Sequence, residues 1–249
     1  MKQATLRGIL LAMAFSAFCV PLLADEAGMA IARRIDALEP QGAAQSRFEM
    51  TVYPAGGGAA RGFVVLSWER EDGASLTSFE EPRTIRGLRI LTKGADSWVY
   101  FPSTGRVRKI AGDSRSGSVQ GVGGDFSYED LGAGAWADGY EFTLIAEDDS
   151  SWTIEGRARS SAAAYEVVRI NVAKADGRPI RITFYSSSEG GWYKELSFFE
   201  YRDFNGESRA ARLEMRNLNT GSRTVVRLLE AQYGVTLEDR LFDPARFDK

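Results

Sequence analysis

From Ser46 almost to the end of the chain, apolar and polar residues alternate with a period of two. This restricts the fold to a sheet with one buried face. Phe48, Met50 and Val52 alternate with Arg47, Glu49 and Thr51, and Trp152 and Ile154 with Thr153 and Glu155. Val168, Ile170 and Val172 follow, then Ile180, Ile182 and Phe184, then Ala211, Leu213 and Met215, then Val226 and Leu228. Each run reads as a half-buried strand, and about a dozen such strands are expected. Turn signals separate them: Pro54 to Gly58, Asp72-Gly73, Asp176-Gly177, Gly190-Gly191, Asn205-Gly206 and Thr220-Gly221. Such short connections predict an antiparallel meander. The opposite face carries Arg, Glu, Lys and Asn, so a membrane barrel, whose outer face must be apolar, is excluded.

Ahead of the strands, Ile31, Ile35 and Leu38 repeat at helical spacing, with Asp25 as the expected cap and Pro40 as the stop. This helix either packs on the core or lies over the mouth of the sheet as a lid. Lys2 and Arg7, then the uncharged stretch 8–23, predict a secretory signal peptide over residues 1–24. A single domain over 25–249 and a periplasmic location are the corresponding expectations. Cys19 falls inside the leader and is not preceded by the small residue that a lipid-modified cysteine requires, since Phe18 stands there.

Histidine is absent and Cys19 is the one cysteine, so imidazole and thiol catalysis and Cys/His metal sites are all excluded. A net charge of −3 argues against nucleic-acid binding. Glu80-Glu81, Glu129-Asp130 and Asp148-Asp149 fall in turns or at element ends, where acids are ordinary. Nothing calls for a cofactor or an enzymatic role.

Residues 111–125, AGDSRSGSVQGVGGD, form an irregular stretch too long for an ordinary turn. Gly121-Val-Gly123-Gly124 lacks the lysine and the βαβ setting of a phosphate loop. The expectation is a mobile flap, with Asp125 capping a short helix over 126–131 that contains Phe126 and Tyr128. Just before it, Arg106, Arg108, Lys109 and Arg115 make a basic cluster. That cluster is either a solvated surface or an anchor for anionic head groups.

The block Trp98-x-Tyr100-x-Pro102, Arg106-Val-Arg108-Lys109-Ile110, the Gly/Ser-rich stretch and Asp125-Phe-Ser-Tyr-Glu-Asp-Leu131 resembles the signature of the outer-membrane lipoprotein-sorting family, relatives of the periplasmic carrier LolA. The initial helix and the tail Leu237 to Pro244 are similar too. The resemblance implies a mainly β (α+β) fold: a curved antiparallel sheet forming an incomplete β-barrel, with an N-terminal helix and short lid helices. It also implies an apolar cavity for lipid or lipoprotein acyl chains. In some branches the partner is an inner-membrane transporter of the RND type or an outer-membrane acceptor. A monomer is expected.

The inward positions expected to line such a cavity are Phe48, Met50, Val52, Leu66, Trp68, Trp98, Tyr100, Phe142 and Leu144. Head-group or lid roles fall to Arg106, Arg108, Lys109, Arg115, Asp125, Phe126 and Tyr128. Each methylene moved from water into such a cavity gains about 0.8 kcal/mol, so one acyl chain supplies enough for tight binding. Two classes stay open at this point: an acyl-chain carrier, and a docking module of an envelope transporter with a solid core.

Overall fold

The computed structural model describes residues 22–94, 96–110, 114, 117–131, 134–161 and 163–248. Most of the expected signal peptide, and Arg115 of the basic cluster, therefore lie outside the described residues. A helix, α1 (Leu22–Asp36), comes first. Asp25 lies inside this helix and so does not stand at its cap. The helix buries Ile31, Ala32 and Ile35, while Arg33 and Arg34 occupy its last turn, where cations favour the helix dipole. Leu38 falls beyond the last turn and is exposed.

Thirteen strands make one sheet. The first meander is β1 (Ala44–Tyr53), β2 (Arg61–Glu69), β3 (Ser75–Glu81), β4 (Arg89–Lys93), β5 (Asp96–Phe101) and β6 (Arg106–Ile110). The second is β7 (Tyr140–Glu147), β8 (Ser151–Ala158), β9 (Val167–Ala173), β10 (Pro179–Ser186), β11 (Gly191–Phe204), β12 (Glu207–Asn217) and β13 (Arg223–Tyr233). The expected turns fall between these strands, except that Gly191 of the Gly190-Gly191 pair already opens β11. The meanders join where β1 pairs antiparallel with β13, leaving β6 and β7 as the two free edges. These edge strands are consecutive in sequence, so the chain between them has to travel from one border of the sheet to the other.

The sheet is curved and unclosed, as a single cluster of side chains demonstrates. On one face, residues from every strand, from Ile110 of β6 through Met50 of β1 to Phe142 of β7, join one apolar core. A flat sheet with strands about 4.8 Å apart would spread those side chains over about 58 Å. Curvature brings them together, and this face is the concave one. It is covered by α1, which packs on β7 and β8, and by residues 117–131. Gly28 lets the helix sit directly on the β7 backbone: a Cβ there would lie 2.6 Å from the Phe142 carbonyl oxygen.

The convex face is mostly charged, except over β2–β5. There Leu76 and Leu91 are buried under Phe242 and Phe247 of the C-terminal tail, with Trp68, Trp98 and Tyr100 beside them. The Arg89 guanidinium donates to the Phe247 carbonyl at 2.7 Å, and the Arg70 guanidinium lies 5.2 Å from the Phe242 ring centroid. This tail explains why β2 and β5 are apolar on both faces.

Candidate functional site: a plugged concave face

Three of the residues expected to line a cavity on β1, Phe48, Met50 and Val52, face the concave side, as do Phe142 and Leu144 on β7. Four others do not. Leu66 and Trp68 alternate out of phase with the buried Phe63 and Val65 of β2, and Trp98 and Tyr100 out of phase with Val99 of β5. Trp68, Trp98 and Tyr100 pack beneath the tail, while Leu66 faces a shallow convex hollow with Arg47 and Glu81. The apolar runs were legible, but which phase of each faces inward depends on the tail.

The basic cluster is divided in the same way. Lys109 lies on the convex side, ion-paired to Asp96 at 2.7 Å and 5.4 Å from the Trp98 ring centroid. Arg106 and Arg108 pair with Phe101 and Val99, so they belong to the concave side of edge strand β6, and both are exposed. One strand therefore sends the charges two ways.

The described end of the expected flap and the short helix expected after it, residues 117–131 together, lie inside the concave face. Val119, Val122, Phe126 and Tyr128 are buried in the main core. At Gly124, with φ +83°, a Cβ would meet Thr224 Oγ1 and Val52 Cγ2, each at 2.8 Å, so the segment presses its backbone against β13 and β1. We call this segment the plug.

Among the described residues, the plug makes no strand pairing with the sheet. Its backbone bonds run within itself: Val122 and Gly123 N–H to the Val119 carbonyl, Tyr128 N–H to the Gly117 carbonyl, and a bridge between Ser118 and Ser127. The hydrogen bonds that tie it to the sheet all use side chains, and they concentrate at two carboxylates.

The first is Asp125, which does not cap a helix. Its N–H donates to Thr224 Oγ1 at 3.0 Å, while its carboxylate accepts from Thr224 Oγ1 at 2.9 Å and from Ser222 Oγ. Thr224 is fully buried. The helix expected after Asp125 shrinks to a short 3-10 turn, Glu129–Leu131, and the carboxylate that serves it is the second anchor, Asp130.

Asp130 accepts from the Ser127 N–H at 2.6 Å and Ser127 Oγ at 2.8 Å. Its other oxygen accepts from Tyr165 Oη at 2.7 Å. Lys194 Nζ, on β11, closes the cluster by ion-pairing with Asp130 and donating to Tyr165 Oη at 2.7 Å. The side chains of Lys194 and Asp130 are 3% and 6% exposed, so the pair is shut away from water. Burial first, and the Asp130 charge second, push the Tyr165 phenol well above its ordinary pKa and keep it protonated as a donor.

A bulge makes room for this cluster. Phe184 pairs with Lys194 and Tyr185 with Trp192, which leaves Tyr193 unpaired. Tyr193 and Lys194 are both buried as a result, against the alternation. Sequence reasoning missed Lys194, Asp130 and Tyr165 because they lie on a bulge, a turn and a loop, where periodicity carries no information. The weak signal available was a buried-type Tyr193-Lys194 pair inside an otherwise alternating strand.

The concave face is tightly filled over β7–β9, whereas Phe48, Leu196, Phe198 and Leu213 on β1, β11 and β12 are only partly buried. Phe142, Ile154, Val168, Ile170, Val172 and Met215 have no accessible surface, and a gap wide enough for an acyl chain would expose its walls. Two hollows among the described residues, about 440 and 490 Å³, lie on the convex side and are lined largely by charged groups. The plug thus occupies part of the concave side, against β1, β2 and β13.

A family model described as "Uncharacterized protein"-like matches residues 71–249. The chain belongs to that family. The matched stretch takes in the tail and the latch that Asp125 and Asp130 of the plug form with Ser222, Thr224, Tyr165 and Lys194. No curated protein sequence matches the chain.

Among solved structures, one described as an outer membrane lipoprotein-sorting protein domain from Vibrio parahaemolyticus is 26% identical. It has a TM-score of 0.79, over 90% of this chain and 100% of the other. A DUF1329 family protein from Desulfovibrio piger is 23% identical with a TM-score of 0.80, over 88% and 97% of the two chains. A LolA superfamily protein from Nitrosomonas europaea is 23% identical with a TM-score of 0.73, over 87% and 97%. The fold of this family member is that of the LolA superfamily.

Proposed function

We propose that this protein is an acyl-chain carrier of the cell envelope, seen here with its own plug in the place the cargo takes. The observation that carries this reading is the way the concave face is filled. An apolar surface contributed by thirteen strands is covered in part by a Gly-rich segment that, among the described residues, makes no backbone-to-backbone hydrogen bond to the sheet. Such a segment can be exchanged for another apolar chain without dismantling the sheet. The likeness to a lipoprotein-sorting protein domain and a LolA superfamily protein supports a carrier of lipid-modified or lipid cargo. Among the described residues no helix is long and apolar enough to cross a membrane, in keeping with a carrier that meets membranes transiently.

Loading then has the form of a displacement equilibrium. The cargo gains about 0.8 kcal/mol for each methylene it buries, while the plug's apolar contacts and latch are given up. Release follows the same path in reverse as the plug re-enters, and the reading requires no catalytic step.

The test is native mass spectrometry of protein isolated from cells under gentle conditions, followed by displacement of a fluorescent acyl-chain probe from the stripped protein. One bound lipid or lipidated peptide per chain, together with saturable probe binding, is expected. Absence of both overturns the carrier reading. The tight filling over β7–β9 favours one rival, a docking module whose solid sheet binds an envelope transporter by its surface. That reading gains if the probe fails to bind while the protein co-purifies with such a transporter.

A further inference from the structure

Resting on the carrier reading, we propose that the cargo bears an acidic head group, carboxylate or phosphate, and that Lys194 with Tyr165 forms its recognition site. The argument concerns what remains when the plug leaves. Lys194 and Tyr165 stay behind, one on β11 and the other in the β8–β9 connection, with Lys194 Nζ and Tyr165 Oη 2.7 Å apart. Both lose Asp130, the carboxylate that accepts from each of them. The Lys194 ammonium also sits 5.2 and 5.7 Å from the Tyr165 and Phe184 ring centroids, in surroundings that give it no second counter-ion among these contacts. A neutral chain entering this space would strand a cation in an apolar wall, which is strongly unfavourable. An anionic head group replaces what the plug supplied.

The plug itself has the chemistry of such a ligand. It presents apolar Val119, Val122 and Phe126 to the sheet, and two carboxylates to two sets of donors. Thr224 and Ser222 form the second set, and they too are left without their carboxylate when Asp125 withdraws.

The experiment uses the full chain stripped of bound lipid and compares oleate with oleyl alcohol, which share a chain and differ in charge, by displacement of a fluorescent acyl probe. Inorganic phosphate is tested alongside. Oleate should bind at least about ten-fold tighter than the alcohol, a difference of about 1.4 kcal/mol. The double variant Lys194→Met/Asp130→Leu, which removes the pair without leaving a lone charge, should bind both ligands and lose the preference. Asp130→Asn should move the other way, strengthening oleate relative to the alcohol.

Equal binding of the two ligands by the wild-type protein overturns the head-group assignment while leaving the carrier reading intact. So does a preference that survives in the double variant. Displacement by inorganic phosphate alone also overturns it, in favour of a free-anion site. If neither amphiphile binds, the carrier reading itself fails.

Discussion

Replacing Asp130 with alanine removes one partner of the buried pair and leaves the Lys194 ammonium 3% exposed with no carboxylate beside it. Breaking a buried pair from one side costs about 3–5 kcal/mol, because the remaining charge keeps its desolvation penalty and loses its compensation. The Ser127 N–H and the Tyr165 hydroxyl lose their acceptor in the same step. For a chain of this size that loss corresponds to a fall in Tm of about 6–20 °C. The Asp130→Leu/Lys194→Met double variant removes both charges and should recover the cost of the stranded cation, keeping only the loss from the unpaired Ser127 N–H and Tyr165 hydroxyl, about 1–3 kcal/mol. Urea unfolding followed by tryptophan fluorescence measures both, and hydrogen exchange at the Val122, Gly123 and Tyr128 amides reads the plug locally. Two results would refute the reasoning: a loss below about 1 kcal/mol for Asp130→Ala, the level of an exposed pair, or a double variant as unstable as the sum of the singles.

Gly156→Ala should destabilise by about 1–3 kcal/mol, since the new methyl lies 2.5 Å from the fully buried Phe142 ring, and Phe142→Leu in the same chain should restore part of the loss on thermal melting. Phe247→Ala should cost about 3–5 kcal/mol and shift tryptophan emission to the red as the cover over Trp68 and Trp98 loosens; unchanged emission would argue that the tail is not what shields them. Trp98→Arg should leave acyl-probe affinity unchanged, because Trp98 belongs to the tail cluster, and a large loss of affinity would move Trp98 back to the cargo wall. In a spectrophotometric titration, Tyr165 and also Tyr193 and Tyr201, the latter two pushed up to about 12 mainly by burial, should ionise late. Their folded pKa values lie above the unfolded one, so the stability they supply is complete below about pH 10 and is lost as pH rises through the folded values. Stability that stayed level from pH 9 to 12 would contradict this.

The strand meanders were legible because their alternation is long and their turns carry Asp-Gly, Asn-Gly and Gly-Gly signals. The closing pair β1–β13 was not, because nothing local in Ala44–Tyr53 names a partner almost two hundred residues away. Phase failed wherever both faces are covered, as at Leu66, Trp68, Trp98 and Tyr100. It also failed at bulges: the ladder shifts between Pro179 and Arg181, and Ile180, read as inward, is 45% exposed. Concave positions such as Met50, Val52 and Phe142 were read correctly, because in their strands the convex face is polar and leaves one choice. The plug was recognised as irregular, but its Gly and Ser residues read as solvent-facing, whereas Val119, Val122 and Phe126 among them insert into the core. Three well-spaced apolar residues were diluted below any periodic signal.

The route of the chain between its two edge strands has a mechanical consequence. The chain that leaves β6 must reach β7 at the opposite border, and the plug lies on the way, so the gap between the borders and the seating of the plug are coupled. On the proposed carrier reading, a guest that spread the borders would draw Asp125 and Asp130 off their donors. A force that brought the borders together would reseat them. By thermodynamic reciprocity, whatever grips β6 or β7 from outside changes the grip on the guest by the same factor as the guest changes its own. A membrane partner that clasped these edges would therefore set whether the protein loads or unloads, with no need to touch the cargo.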